Sequence, residues 1–245
     1  MQSYSEFLDL SVGFPQEGYS IIDDELYFQD LNLMEMIETY GTPLRFTYLP
    51  MISKKIQQAK ILFQTAILKN NYRGDYKYCY CTKSSHFRHI VEEALKNGIH
   101  LETSSAFDMP MIEALEKKGA VNKDITVICN GFKTYQYKQY IIDMLHDGYK
   151  NIIPVLDNKE EFNLYDDEIE MDTPCNLGIR IAAEEQPDSQ FYTSRLGVRM
   201  EDVIDFYNNK ISVNPNFRVK LLHFFINSGI SDTPYYWNEL EKYVT

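Results

Sequence analysis

Short apolar runs alternate with longer amphipathic stretches along most of the chain. Each apolar run has the length of a buried strand, and the stretch after it has the spacing of an amphipathic helix. The predicted strands are Tyr78–Thr82, His100–Thr103, Ile125–Cys129, Ile152–Leu156, Leu177–Ala182 and Lys220–Ile226. The predicted helices are Ser85–Asn97, Asp108–Lys118, Thr134–Asp147, an acidic helix from about Asn158, Met200–Asn209 and Thr233–Val244. Strands that alternate with helices in this order predict an α/β protein with a parallel sheet.

Two α/β architectures contain such a sheet, an open doubly wound sheet and an eight-stranded TIM-type (β/α) barrel. No G-x-G-x-x-G segment or Walker-type lysine loop follows a predicted strand. Their absence weakens the nucleotide-binding interpretation that an open sheet would suggest. A TIM-type barrel needs eight strands, and about six are predicted, so a barrel would be incomplete in this chain.

The first 44 residues follow a different pattern. Leu31–Tyr40 is predicted to be an amphipathic helix, and a Gly-Thr-Pro turn follows it. Arg45–Leu49 is strand-like and leads into a long predicted helix, Ile52–Lys69. We interpret residues 1–44 as an N-terminal arm and residues 45–245 as the strand–helix domain.

Composition and charge exclude several classes of function. The net charge of −12 and the lack of a basic patch argue against nucleic acid as a partner. No apolar run approaches the ~20 residues of a membrane helix, and the polar, acidic N-terminus is unlike a signal peptide. The four cysteines lie in apolar segments as reduced thiols would, which favours the cytoplasm. They are Cys79, Cys81, Cys129 and Cys175, and their spacing does not indicate a metal site.

Lys83 is the first candidate for chemistry, because it follows a predicted strand at the edge of the sheet where barrel active sites form. Period-two alternation puts Lys83 on the same side as Cys81 and Cys79, whose small thiols leave room for a ligand. A desolvated lysine has a lowered pKa and can form a Schiff base. The alternative is a solvated lysine at the end of a strand.

Other polar residues follow strands at the same level. Glu102 and Asn130 end two strands, and Arg180 lies within a third, with the small Gly178 expected to leave space beneath it. A charged side chain inside an apolar strand is costly to bury without a partner. For each residue alone, a solvated strand end remains the simpler interpretation.

Two turns could bind anions. Arg195 stands beside a glycine turn, and Asn227-Ser228-Gly229 directly follows a strand, where backbone N–H groups and a hydroxyl could hold phosphate. Both could also be ordinary surface turns. The histidines are expected to be structural rather than catalytic, since they form no serine–histidine–acid or metal pattern.

Six segments, in order, resemble those of the fold-type III (alanine-racemase-like) pyridoxal-phosphate decarboxylases, which act on arginine, lysine, ornithine or diaminopimelate. The first resembles the family's Y-x-x-K motif, and the third is similar to the C-N-G-[YF]-K segment of biosynthetic arginine decarboxylases. The six are Tyr80–Lys83, His100–Ser105, Cys129–Lys133, Arg180, Arg195–Gly197 and Leu222–Gly229. The resemblance implies an incomplete TIM-type barrel with an N-terminal arm.

The resemblance also implies roles for individual residues. Lys83 would hold pyridoxal 5′-phosphate as a Schiff base above Cys81, with Glu102 beside it. The remaining cofactor-binding residues would be Arg180 and Arg195 on the O3′ side, Phe225 over the ring, and Ser228 and Gly229 at the phosphate. The implied reaction is decarboxylation of a basic amino acid, with arginine converted to agmatine in polyamine biosynthesis as the first choice. The implied full-length protein is a cytoplasmic homodimer.

The chain departs from the family in three ways. Phe225 stands where the family has a ring-stacking histidine, and Asn227 stands where it has a glycine. The glycine-rich phosphate loop, the E-P-G-R segment and the C-terminal β-domain of the family do not occur in this sequence. We therefore expect a truncated portion that is inactive by itself.

Several alternatives stay open at this point. The chain could belong to a non-catalytic pyridoxal-phosphate-binding barrel protein or to a silent decarboxylase homologue, which Phe225 would suit. A racemase is the enzyme-class rival. The substrate could also be lysine, ornithine or diaminopimelate.

Overall fold

The structure is a computed structural model that describes residues 18–166, 168–169, 174–182, 196–225 and 241. The chain divides into two compact units, Met1–Tyr48 and Leu49–Thr245. The division that the sequence predicts at residue 44 stays a prediction. No helix within the described ranges is both long enough and apolar enough to span a membrane.

The first unit contains a small antiparallel sheet followed by a helix. Its elements are β1 (Tyr19–Ile22), β2 (Glu25–Phe28), β3 (Leu31–Asn32) and α1 (Leu33–Tyr40). Asp23 and Asp24 have positive φ angles of 52° and 65° at the tight turn between β1 and β2. The Asn32 side chain accepts hydrogen bonds from the first backbone N–H groups of α1.

Two predictions for this part of the chain are wrong. The helix predicted from Leu31 begins at Leu33, because Leu31 and Asn32 pair with β2. The strand predicted at Arg45–Leu49 is absent, since Leu49 already belongs to helix α2 (Leu49–Lys69) and the four residues before it are not in a strand. Proline suits this helix start, because Pro50 has no N–H to leave unpaired in the first turn.

The second unit is built on a six-stranded parallel sheet whose spatial order is the order of the strands in the chain. The strands are β4 (Cys79–Cys81), β5 (His100–Thr103), β6 (Thr126–Cys129), β7 (Asn151–Leu156), β8 (Cys175–Arg180) and β9 (Phe217–His223). In a doubly wound sheet the spatial order of the strands reverses at a switch point. Here each strand lies beyond the previous one, and the order does not reverse. The α/β class and the incomplete TIM-type barrel are therefore confirmed.

Helices follow the strands as predicted, with some changes at their ends. They are α3 (Arg88–Leu95), α4 (Met109–Lys117), α5 (Tyr135–His146), α6 (Asn163–Asp166) and α7 (Met200–Phe206). The helix predicted from Ser85 begins later, at Arg88, and Phe87 is its N-cap. The acidic helix is a 3-10 turn, Glu160–Phe162, followed by the single turn of α6. The helix predicted at Thr233–Val244 lies outside the described residues, apart from Glu241.

The sheet is strongly curved. Glu102 on β5 and His223 on β9 are four strand spacings apart, which is roughly 19 Å in a flat sheet. Their side chains nevertheless approach to 3.9 Å. The six strands therefore form a barrel wall, with Glu102 and His223 on its concave side.

The hydrophobic core lies on the convex side, between the wall and the helices. Leu101, Val127, Cys129 and Ile152 are fully buried there. They alternate along the strands with partly exposed residues such as Glu102. This alternation places polar side chains on the concave face, and the candidate site lies at its carboxyl end.

Candidate functional site

Lys83 and Phe225 face each other across the mouth of the curved sheet. The Lys83 amine lies 5.9 Å from the centre of the Phe225 ring, within the range of a cation–π contact. Both residues are exposed, and half of Phe225 is open to solvent. The desolvation considered for Lys83 is therefore absent, although the amine is placed where a ligand in the mouth can reach it.

Glu102 lies below this mouth and is the centre of a polar cluster. In the sheet it pairs with Cys81, the strand residue two positions before Lys83. Its Oε1 atom accepts a hydrogen bond from Asn130 Nδ2 at 3.1 Å and is 3.9 Å from both Cys81 Sγ and His223 Nε2. Residues from four strand ends thus meet at one carboxylate oxygen.

The thiols beside Glu102 are held in their protonated form. Burial and the Glu102 carboxylate raise the pKa of Cys81, and the same two causes raise the pKa of Cys79 to about 11. A protonated thiol is a weak hydrogen-bond donor and a poor nucleophile. Cys81 therefore acts as a small, neutral neighbour of the carboxylate.

Arg180 reaches the same face from β8. Its guanidinium lies 3.3 Å from Asp157 Oδ1, and the Asp157 side chain is completely buried. Among the described residues, Asp157 Oδ2 has no hydrogen-bond partner. A fully desolvated carboxylate needs its cation, so Asp157 fixes the position of Arg180.

The space expected beneath Arg180 is filled, which corrects the prediction for Gly178. A Cβ atom at Gly178 would lie 2.9 Å from Val155 Cγ2 and 3.3 Å from Leu221 Cδ2. The glycine therefore allows the neighbouring side chains to close over the strand and does not leave a cavity.

Lys133 is a buried lysine that the sequence interpretation gave no role. Its Nζ atom donates to the carbonyl oxygens of Gly131 and Val155, and the residue is only 3% exposed. Glu161 Oε2 is 3.9 Å away, and burial lowers the pKa of Lys133 despite this carboxylate. The CNGFK segment drew attention to Lys133 in the sequence. The burial of Lys133, however, depends on how the loops after β6 and β7 meet.

His223 is the second residue that sequence reasoning missed. It was expected to be structural, yet its imidazole lies against Glu102. Burial is the main cause that lowers its pKa below the ordinary 6.5, and Glu102 opposes the shift. Its position two residues before Phe225 in an extended segment was the available signal, because both then share one face.

Three predicted site residues, Arg195, Ser228 and Gly229, lie outside the described residues. The neighbouring Gly197 is described, with a φ angle of +107°. Its N–H donates to the Asp157 carbonyl oxygen at 2.7 Å, and Ile181 and Val198 form a parallel bridge. The segment that follows Arg195 therefore continues the sheet beside Arg180. Across the described ranges, His, Cys, Asp and Glu side chains form no group that could hold a metal.

Comparison with known proteins confirms the resemblance seen in the motifs. The chain is 23% identical over 223 residues to biosynthetic arginine decarboxylase 2 of Synechocystis sp., a match that covers 82% of this chain and 34% of the relative. The chain thus spans about a third of the length of the curated relatives it matches. No protein-family model matches it.

Solved structures share the fold. The diaminopimelate decarboxylase of M. jannaschii in co-complex with L-lysine matches with a TM-score of 0.70 and 18% identity, over 94% of this chain and 54% of that one. A mutant of SrLDC in complex with PLP matches with a TM-score of 0.65 and 16% identity, over 89% of this chain and 50% of that one. At these identities the likeness supports the barrel fold.

Proposed function

We propose that this chain forms the amine-bearing part of a pyridoxal-phosphate-dependent decarboxylase for basic amino acids, with Lys83 as the residue that binds the cofactor covalently. One observation carries the proposal. The exposed Lys83 amine stands over the Phe225 ring, above the Glu102 cluster, at the carboxyl ends of the parallel strands. This is the edge at which (β/α) barrels bind their ligands.

The residues of the mouth fit pyridoxal phosphate. A primary amine can capture its aldehyde, the exposed face of Phe225 can stack on its flat ring, and Arg180 brings a cation to the same face. The buried acceptor Asn130 Oδ1 has no partner among the described residues and is free to receive a ligand donor. When bound, the cofactor supplies a pyridine ring that accepts the electrons of the broken Cα–carboxylate bond.

The protein side chains have separate tasks in this proposal. Lys83 supplies the amine that attacks the aldehyde, and its exposure at the mouth lets a ligand reach it. Phe225 covers one ring face and excludes water from it. Arg180, held by Asp157, balances negative charge at the mouth without moving. Arg195, Ser228 and Gly229 are proposed to complete the cofactor contacts.

Arginine is the proposed substrate, with agmatine as the product and polyamine synthesis as the purpose. The support is the similarity to proteins named biosynthetic arginine decarboxylase. Lysine, ornithine and diaminopimelate remain the alternative substrates. The arm of residues 1–44, a homodimer of the whole protein and a cytoplasmic location belong to the same proposal.

Covalent capture tests the proposal directly. The chain is mixed with pyridoxal phosphate, reduced with borohydride and digested, and the modified peptide is located by mass spectrometry. We expect the adduct on Lys83 in the wild-type chain and its loss in Lys83→Ala. Lys77→Ala is the matched control, because Lys77 is also exposed and lies just before the same strand.

Loss of the adduct in Lys83→Ala alone supports the site. Equal labelling of Lys83→Ala and the wild type would show that the amines react without selection, which contradicts the proposal. An adduct on Lys133 would contradict the structure as well, because that amine is buried and bonded to two carbonyl oxygens.

A pyridoxal-phosphate-binding protein without decarboxylase activity is the second candidate, and Phe225 favours it. Phenylalanine can stack on a ring but cannot donate a hydrogen bond. Release of carbon dioxide from arginine by the full-length protein, lost in Lys83→Ala, would exclude this candidate. Binding without such release would favour it.

A further inference from the structure

Glu102 and His223 meet inside the curved sheet although they lie on strands far apart in the spatial order. The distance from Glu102 Oε1 to His223 Nε2 is 3.9 Å, and their side chains are only 20% and 13% exposed. An interaction between two groups so enclosed is screened much less by salt than one at the surface. We propose that His223 is a positioning residue for Glu102, and that the two side chains work as one acid–base pair at the bottom of the mouth.

Glu102 and His223 are close to each other but are not hydrogen-bonded. A separation of 3.9 Å is longer than a hydrogen bond, so a neutral imidazole holds the carboxylate only loosely. In this state Glu102 Oε1 is fixed mainly by the hydrogen bond from Asn130 Nδ2. A proton on His223 creates an ion pair that draws Oε1 toward the imidazole, and the carboxylate changes its orientation.

The second imidazole nitrogen shows that the pair can also receive a ligand. Nε2 faces a carboxylate and is the favoured place for the single proton of a neutral ring. Nδ1 then remains an acceptor; it is buried and has no hydrogen-bond partner among the described residues. Asn130 Oδ1, next to the same carboxylate, is also buried and has no hydrogen-bond partner among the described residues. Two unused acceptors beside Glu102 suit a ligand that brings hydroxyl, amide or ammonium donors.

Charged groups on or after four strands act on His223. They are Glu102 on β5, Lys133 after β6, Asp157 after β7 and Arg180 on β8. Burial is the largest cause that lowers the pKa of His223. Arg180 and Lys133 lower it further, whereas Glu102 and Asp157 raise it. The imidazole is therefore neutral at pH 7 and becomes charged only in more acid solution.

One consequence of the pair rests on the proposed function. If pyridoxal phosphate binds at Lys83, its capture should weaken in acid solution when the proton on His223 reorients Glu102. The pair itself needs no cofactor, so it can be tested on the chain alone.

Nuclear magnetic resonance of the histidine-labelled chain measures this pair. The chain has five histidines, and His223→Gln assigns the relevant signal. We expect the pKa of His223 to fall further below 6.5 in Glu102→Gln, because the carboxylate that favours the charged ring is gone. Glu201→Gln is the matched control, since this carboxylate is 75% exposed and pairs with Arg199. An unchanged His223 titration in Glu102→Gln overturns the proposal.

A measurement on the wild-type chain covers the case in which Glu102→Gln does not fold. The side-chain carboxyl carbon of Glu102 should show a step at the midpoint of the His223 titration, because a coupled pair reports a shared event. The absence of this step overturns the proposal.

Borohydride trapping of pyridoxal phosphate as a function of pH then tests the consequence. We expect labelling of the wild type to decrease in acid solution. The decrease should be smaller in His223→Gln. Equal acid loss in both proteins overturns the link to capture. If Lys83 is not labelled at any pH while the resonance coupling is present, the proposed function fails and the pair stands.

Discussion

Gly131 controls how closely two loops approach at the barrel mouth. It has a φ angle of +84°, and a Cβ atom there would lie 2.5 Å from the Ser104 carbonyl oxygen. Any larger residue would therefore meet both a strained backbone and a collision with the loop after β5. Because this loop follows Glu102 in the chain, Gly131 also helps to keep the Glu102 carboxylate in place.

We expect Gly131→Ala to destabilise the fold more than Gly148→Ala. Gly148 has a similar φ angle of +91°, but a Cβ atom there meets nothing within 4 Å. The left-handed backbone alone should cost about 1–2 kcal/mol in Gly148→Ala. The collision should add about 1–3 kcal/mol in Gly131→Ala.

Urea unfolding of the two variants beside the wild type measures both free energies. Equal losses would mean that the Ser104 loop moves away without cost. That outcome would contradict the close approach at the mouth.

At the scale of elements, buried charges tie together the loops after β6 and β7. The Lys133 amine donates to the Val155 carbonyl oxygen, while Glu161 accepts the backbone N–H groups of Lys133 and Asp157. Burial lowers the pKa of Lys133 and raises the pKa of Glu161, so both charges are costly. The two buried charges are stable because they attract each other and because both side chains hydrogen-bond to backbone groups around them.

Lys133→Met should destabilise the chain by about 3–5 kcal/mol, since it leaves Glu161 buried without its cation. The double variant Lys133→Met/Glu161→Gln should lose less than the sum of the two single variants. A double-mutant cycle in urea measures this difference. Strict additivity would show that the two side chains do not interact.

Local sequence signals predicted most elements of the second unit. The β5 prediction has the observed bounds, and Thr134 caps α5 by accepting a hydrogen bond from Tyr137 N–H. The strands of the first unit were missed, because they are very short and their turn depends on positive φ angles at Asp23 and Asp24.

The candidate site was predictable only in part. Parity along a strand put Lys83, Cys81 and Cys79 on one face, which is a local property. The contact between Glu102 and His223 and the burial of Lys133 depend on the curvature of the sheet. Curvature arises from packing over the whole wall, so a single stretch of sequence does not contain it.

At the scale of the whole molecule, partly buried histidines link folding to pH. Burial lowers the pKa of both His100 and His223 below 6.5 in the folded chain. Below pH 6.5 these two histidines therefore bind protons more readily in the unfolded chain than in the folded chain. Stability that is present above this pH is lost as the pH falls.

The urea midpoint should accordingly be lower at about pH 5.5 than at about pH 7.5. The decrease should be smaller in His223→Gln, because glutamine takes up no proton. His86→Gln serves as the control, since His86 is exposed. The same decrease in all three proteins would assign the pH dependence to other groups.

The strand order of the sheet has a consequence for how the chain is made. Because every strand of the wall pairs with the one synthesised just before it, each new strand–helix unit can add to a finished edge as it leaves the ribosome. Contacts between neighbouring strands close short loops and form early, whereas the contact from Glu102 to His223 must wait for the sixth strand. The cluster around Glu102 is therefore completed last, when His223 joins it and all six strands of the wall are paired.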